Sequence, residues 1–292
     1  MIVYHGSDKC IEMPRMLERS DTAGRATCDL FERSGTCRMD RIENLDFCIR
    51  YLMNQEHVEA DVSSTLDDKR RLLRALMNVW QPQPLSDEFL RAQDSELQTQ
   101  LNEKGGPENA GDVRKSPVLW QGDITRLQVD AIVNAANSQG LGCWHPLHGC
   151  IDNAIHSAAG LQLRRECYNI LNGKKLATGD AIITHGYNLP AKYVIHTVGP
   201  IIPDGNPTKK QEQELELCYT NCLRMAIDRG CRSVAFCCIS TGEFHFPNRR
   251  AAEIAVGTIL KLQNSYDSLP IVVFNVFKDI DYDIYHELLN KD

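Results

Sequence analysis

Residues 120–138 read Trp-Gln-Gly-Asp-Ile-Thr-Arg-Leu-Gln-Val-Asp-Ala-Ile-Val-Asn-Ala-Ala-Asn-Ser. Two short apolar runs, 118–120 and 131–134, frame this stretch, and a Gly-Asp pair follows the first of them. Working outward, residues 180–184, 193–197, 234–239 and 271–277 are further apolar runs, rich in β-branched side chains and of strand length. Helical stretches near 150–170, 209–229 and 248–264 separate several of these runs, and 281–290 closes the chain. Strands alternating with helices predict an α/β fold with a largely parallel sheet sandwiched by helices. Ligands then belong at the carboxyl ends of the strands.

Residues 142–153 read Gly-Cys-Trp-His-Pro-Leu-His-Gly-Cys-Ile-Asp-Asn. Cys143, His148 and Cys150 form a compact Cys-x4-His-x-Cys set of soft and borderline ligands. Such a set suits zinc better than magnesium, calcium or haem. A closed structural zinc site takes four protein ligands, whereas a catalytic one takes three and keeps a position open. His145 is the further donor nearby, and Asp152 adds a carboxylate. An open metal beside a carboxylate is a reaction centre rather than a staple. Three unligated side chains in a buried turn would show the same spacing, since cysteine is commonly buried as a plain hydrophobe.

The composition excludes several classes. The 292 residues are 42% hydrophobic and 24% charged, an ordinary balance for a soluble globular chain. A formal net charge of −7 argues against general binding to nucleic-acid phosphates. No apolar run is long enough to span a membrane. The first residues lack the apolar stretch of a secretory signal, which predicts a cytoplasmic protein. In that setting the 12 cysteines read as reduced thiols plus a metal site. Cys237 and Cys238 lie in an apolar run and read as core hydrophobes. Cys218 and Cys222 stand four apart in a helical stretch, where packing is the default.

Ahead of the α/β region, residues 45–103 read as a helical extension. Ser64, Thr65, Asp67 and Asp68 make a helix start, and Leu72, Leu73, Leu76, Met77 and Trp80 share one helical face. Pro82 and Pro84 end that helix, and Ser86 caps a second one carrying Phe89, Leu90, Leu97 and Leu101. Residues 104–117 are polar and Gly/Pro-rich, the composition of a linker. Residues 1–44 are left unassigned.

Taken together, the 120–138 stretch, Ile-Asp-Asn-Ala-Ile-His-Ser-Ala-Ala-Gly (151–160), Tyr-Val-Ile-His-Thr-Val-Gly-Pro (193–200) and Ile-Ser-Thr-Gly-Glu-Phe-His-Phe-Pro (239–247) resemble the macrodomains, ADP-ribose-binding α/β modules. The Cys/His/Cys insertion is similar to that of the zinc-dependent branch, whose members are protein-ADP-ribose hydrolases. The resemblance implies a three-layer α/β/α sandwich over residues 118–292, with a mixed, largely parallel sheet. It extends into the helical segment, where Pro84 to Glu88 resemble a turn of that branch. Residues 3–14 separately resemble the opening of a small family of ADP-ribosyltransferase-like proteins, and no activity is assigned to them.

The same resemblance implies roles for individual residues. Asp123, with Ile124 beside it, would accept a hydrogen bond from the adenine amino group, although Gly-Asp also suits a turn cap. Phe277 would border the adenine. Ser240, Thr241, Gly242, Glu243 and Phe244 would present backbone N–H groups to the diphosphate, with Phe244 against the distal ribose. Glu243 departs from the small apolar residue of many relatives, and a carboxylate there would repel phosphate unless turned outward. Asn137 and Asp152 would flank the distal ribose, one orienting a hydroxyl and the other accepting a proton or positioning water. Zinc on Cys143, His148 and Cys150 would either polarise a ribose oxygen or activate water. His145 and His156 are left out of the chemistry. The expected activity is zinc-dependent removal of mono-ADP-ribose from modified proteins, a lipoyl-carrier-type protein being a target by analogy. A non-cleaving ADP-ribose reader and a hydrolase of small ADP-ribosyl metabolites are the alternatives.

Overall fold

The apolar run Ala-Ile-Val-Asn-Ala becomes the strand at the heart of the sheet, and four of its five residues are buried. A strand buried on both faces reads as a continuous apolar run rather than an alternation. The computed structural model describes residues 40–62, 65–111, 116–266 and 269–290. The sequence-predicted cap Ser64 and the segment 1–39, with its resemblance over 3–14, lie outside the described residues.

Six strands form the sheet: β1 (Val118–Gln121), β2 (Ala131–Ala135), β3 (Ala181–His185), β4 (Tyr193–Thr197), β5 (Ser233–Phe236) and β6 (Ile271–Val276). Their spatial order is β1-β6-β5-β2-β4-β3. All neighbours run parallel except β3, which lies antiparallel on β4 at one edge. The sheet is therefore mixed and largely parallel, as the sequence predicts. The expected strand over 234–239 is shorter than its apolar run, because the chain leaves the ladder after Phe236.

Helices cover both faces. On one side lie α4 (Ile151–Ala159) and α5 (Leu161–Leu171). On the other lie α6 (Lys209–Asp228), α7 (Asn248–Gln263) and α8 (Asp279–Leu289). Register explains the division. Phe236 and Phe274 are paired neighbours on β5 and β6, and they meet Tyr219 of α6 and Tyr285 of α8 at ring distances of 5.1 and 5.0 Å. Cys218, Cys222 and Cys237 are buried in this core, as expected of small hydrophobes.

The extension is a three-helix bundle: α1 (Arg41–Glu56), α2 (Leu66–Val79) and α3 (Asp87–Glu103). It begins four residues before the expected boundary at 45, because Asp40 and Glu43 form a reciprocal capping box. Thr65 caps α2, and the Ser86 hydroxyl accepts from the Phe89 amide at 3.1 Å to cap α3. Leu73, Leu76, Met77 and Trp80 are buried in a separate bundle core with Leu45, Ile49, Leu52 and Phe89. The Trp80 indole donates to Gln55 at 2.8 Å, satisfying its one polar atom. Glu96 and Glu103 of α3 bind both Arg41 of α1 and Arg70 of α2. After α3 the chain is pinned to the α/β domain: the Glu108 amide donates to Arg126 at 2.8 Å and its carbonyl accepts from Gln128 at 2.7 Å. The segment expected as a free linker is in this part an added strand-like contact.

Candidate active site

Parallel pairing puts the carboxyl ends of β1, β2, β5 and β6 along one rim, and the segments expected to form the site follow those ends. Asp123 follows β1, Asn137 follows β2, 240–244 follow β5 and Phe277 follows β6. Asp123 caps a 3-10 turn at Ile124–Arg126. One of its carboxylate oxygens accepts from the Thr125 amide and hydroxyl, and the other from the Lys104 ammonium at 3.0 Å. Burial raises its pKa, and the Thr125 and Lys104 hydrogen bonds outweigh that to hold it below the ordinary value. The turn-cap reading of Gly-Asp is thus realised. Ile124 is buried behind it. Phe277 is 75% exposed beside Ile280, an aromatic face with no core to fill.

The turn after β5 holds Ser240 at a positive φ of 66°. The Ser240 hydroxyl is buried and has no hydrogen-bond partner among the described residues. The turn closes on itself through the Phe246 amide to Ser240 and the His245 amide to Gly242, which leaves the amides of Gly242, Glu243 and Phe244 without backbone partners among the described residues. Clustered free amides favour an anion. Phe244 packs on a small apolar cluster with Leu141, Leu171, Leu176 and Val198. The Glu243 carboxylate is largely exposed and lies 3.6 Å from Nε2 of His148.

Between β2 and α4 the loop carries the Cys/His set. The sulfur of Cys143 is 3.5 Å from Nδ1 of His148. The donor atoms of Cys143, His148 and Cys150 all lie within 4.8 Å of one another, and all three residues are half-buried. Cys150 is also the N-cap of α4, its sulfur accepting the Asn153 amide. Burial pushes the Cys150 thiol up to about 12, with the neighbouring Cys143 and Asp152 adding to the effect. His145 stays out of the donor set. Its ring stands edge-on to His148 at 5.6 Å and its carbonyl accepts from Asn153.

Asn137 and Asp152 meet directly. The Asn137 amide donates to Asp152 at 3.3 Å and to the Gly142 carbonyl at 3.0 Å, while its oxygen accepts the Gln139 and Gly140 amides. Asp152 sits in the first turn of α4 and is only 5% exposed. Its second oxygen accepts from Asn134 at 2.7 Å. Burial pushes its carboxyl up to about 6. Asn134 also donates to His196 at 3.1 Å, and His196 reaches Thr184 at 3.0 Å. The sequence reading missed Asn134 and His196 as supports, although a polar residue inside a buried strand is itself a signal. His156 is buried under the loop. Gly142, at a φ of 84°, has no room for a Cβ because the His156 ring would lie 2.7 Å from it.

Similarity to known proteins accords with this geometry. Residues 133–255 match the family model described as Macro domain. A protein-ADP-ribose hydrolase of Treponema medium is 45% identical over 265 residues, 86% of this chain and 100% of that protein. The chain belongs to the macrodomain family. Among solved structures, the Oceanobacillus iheyensis macrodomain with ADP has a TM-score of 0.54 at 40% identity, covering 59% of this chain and 88% of that one. The Trypanosoma brucei macrodomain in complex with ADP-ribose has a TM-score of 0.55 at 31% identity, covering 79% and 97%. Among the described residues no helix is long and apolar enough to cross a membrane.

Proposed function

We propose that this macrodomain is a zinc-dependent hydrolase that removes mono-ADP-ribose from modified proteins in a reducing, cytoplasmic setting. The carrying observation is the Asn137–Asp152 pair at the mouth of a three-donor set of zinc type. Zinc–sulfur and zinc–nitrogen bonds of about 2.3 and 2.0 Å at a tetrahedral angle separate S from N by about 3.5 Å. The Cys143–His148 distance of 3.5 Å fits that spacing. Cys143, Cys150 and His148, through Nδ1, would hold the ion, and Glu243 faces the other ring nitrogen, a common arrangement around metal-bound histidine. Zinc bound there would supply Lewis acidity beside the scissile bond.

In this reading the adenine lies between Asp123 and Phe277, and the free amides of 242–244 receive the diphosphate. Phe244 and Asn137 orient the distal ribose. Water attacks the anomeric carbon, the bond to the protein side chain breaks, and the water proton passes through Asp152 to the departing group. The products are ADP-ribose and the unmodified side chain. The hydrolase activity of the Treponema relative and the ADP-ribose complex of the Trypanosoma macrodomain support this reading.

The test is to incubate metal-replete protein with Ser-, Asp/Glu- and Arg-linked mono-ADP-ribosyl peptides and with a modified lipoyl-carrier-type protein. Release of ADP-ribose from one linkage, abolished by chelation and restored by zinc, is the expected result. Tight binding without release would make the chain a reader. Cleavage confined to small ADP-ribosyl metabolites would move the substrate class.

A further inference from the structure

The N-terminal bundle touches the α/β domain mainly through side chains of α2 and α3, and those of α2 converge on the backbone of the Cys/His loop. Arg74 donates to the His148 carbonyl at 3.3 Å and grips Asn153 at 2.8 and 3.2 Å. Asn153 in turn donates to the His145 carbonyl at 3.0 Å, and its amide reaches the Cys150 sulfur. Asn78 accepts the Leu147 amide at 2.9 Å and donates to Ser157 at 3.0 Å. Leu147 needs such a hold, because it carries a positive φ of 59°, which strains a branched side chain. From α5, Arg164 donates to the carbonyls of Met77, Asn78 and Trp80 at the end of α2 and reaches the Cys143 carbonyl at 3.4 Å. Its guanidinium also stacks 4.2 Å from the Trp144 ring.

Asn78, Asn153 and Arg164 are 1%, 0% and 2% exposed. Buried polar groups of this kind are placed by their partners, since leaving one unmatched is unfavourable by about 1–3 kcal/mol. Here the partners of these three include the carbonyls of Cys143 and His145 and the amide of Leu147, and Arg74 adds the carbonyl of His148. Elsewhere the bundle is held without touching the loop. Gln93 of α3 accepts the Leu161 amide at 3.0 Å and donates to Gln162 at 2.7 Å.

We propose that α2 of the extension, through Arg74 and Asn78, holds the loop 143–150 in its ligand-presenting conformation, so that the bundle sets the metal affinity of a site to which it contributes no ligand. The metal part of this rests on the zinc reading above. Arg74 and Asn78 are positioning residues.

Two measurements on the full chain test it. Hydrogen exchange of the chelator-treated protein reads the loop without metal: in Asn78→Ala and Arg74→Ala the amides of 143–150, Leu147 foremost, should exchange about tenfold faster. Competition with a zinc chelator should show the dissociation constant for zinc rising about tenfold, the range found when groups that orient a ligand are removed. Arg74→Lys, which keeps the charge but loses the forked contact, should fall between. Gln93→Ala is the comparison: it weakens bundle docking and thermal stability but should leave both loop exchange and zinc affinity within twofold of the parent chain. Unchanged exchange in the α2 variants, or an equal effect from Gln93→Ala, overturns the proposal. Faster exchange in the α2 variants, alongside a parent chain that binds no zinc, would sustain the clamp while removing the zinc reading, so the two fail separately.

Discussion

Among the described residues, two clusters each bring three nitrogen and sulfur donors within 4.8 Å of one another: Cys143, His148 and Cys150 at the rim, and His156, Cys167 and His196 beneath it. Their chemistry is nearly the same and their circumstances are opposite. At the rim the donors are half-buried on a loop. Beneath it they are sealed, and His196 is already engaged on both nitrogens. Nδ1 accepts from Asn134, and Nε2–H serves Thr184, whose own hydroxyl proton points to the Val194 carbonyl. That chain of donors fixes the imidazole as neutral, with the proton on Nε2. A cation there would break two hydrogen bonds and enter without a path from solvent. His156, by contrast, has no hydrogen-bond partner on either ring nitrogen among the described residues, so what separates the two clusters is burial and the engagement of His196.

The largest effect should separate the clusters outright. Protein purified without added metal should carry near-stoichiometric zinc by elemental analysis. Cys143→Ser or Cys150→Ser should lose it, whereas Cys167→Ser should retain it. Equal loss from Cys167→Ser would erase the distinction. Next in size, Asn137→Ala and Asp152→Ala should each slow release of ADP-ribose from a modified peptide by about 10²–10⁴, the usual contribution of general acid–base groups. Circular dichroism should show the fold retained, and a loss under tenfold would move the chemistry away from this pair.

The buried cluster should reveal itself in acid. Burial lowers His196 from 6.5 to about 3 and pushes His156 down as well, with His196 and Arg164 adding to the effect on His156. Arg164 and Asp152 are the charged neighbours of this pocket. A group whose folded pKa is depressed in this sense is neutral in the fold and charged in the unfolded chain. Its stabilising contribution is complete above 6.5 and is lost as pH falls toward the folded value. Each unit below 6.5 should weaken folding by about 1.4 kcal/mol for His196 alone. The raised Asp152 carboxyl acts in the opposite sense over this range, stabilising the fold as it protonates. Urea unfolding at pH 7 and pH 5 is therefore compared in an Asp152→Asn background, where an unchanged midpoint would contradict the sealed, neutral reading.

Smaller effects test the rim. Asp123→Ala should weaken ADP-ribose binding by about one to two decades, the equivalent of one charged hydrogen bond. Calorimetry showing unchanged affinity would place the adenine elsewhere. Smallest of all, Glu243→Gln should raise the zinc dissociation constant about tenfold or less, because its carboxylate is exposed and touches the metal set only through His148.

What could be read in advance divides along the same line. The strand at 131–134, the caps at Thr65 and Ser86 and the Cys-x4-His-x-Cys loop are local patterns, and each is present where the pattern put it. The run 234–239 misled because apolar residues also line buried loops, so the strand ends at Phe236. The start of α1 was missed although Asp40 and Glu43 carry the signature of a capped helix. The supports were illegible for a different reason. Arg74 meets Asn153 across 79 positions, and Asn134 meets His196 across 62. No spacing rule reaches that far; only the folded sheet and the docked bundle bring such residues together.

The ion pair between Lys104 and Asp123 has a consequence for how the two parts of this chain can be inherited. Lys104 is the C-cap residue of α3, so the extension reaches the rim at the end assigned to adenine as well as at the Cys/His loop. A recombination that grafted this α/β domain onto another leader would leave Asp123 without its cation at one end. At the other end it would leave the Leu147 amide and the His148 carbonyl without their partners. Replacing the extension of this chain therefore unpairs groups at both ends of the rim, and Arg74, Asn78, Lys104, Asp123 and Asn153 are the residues such an exchange has to accommodate.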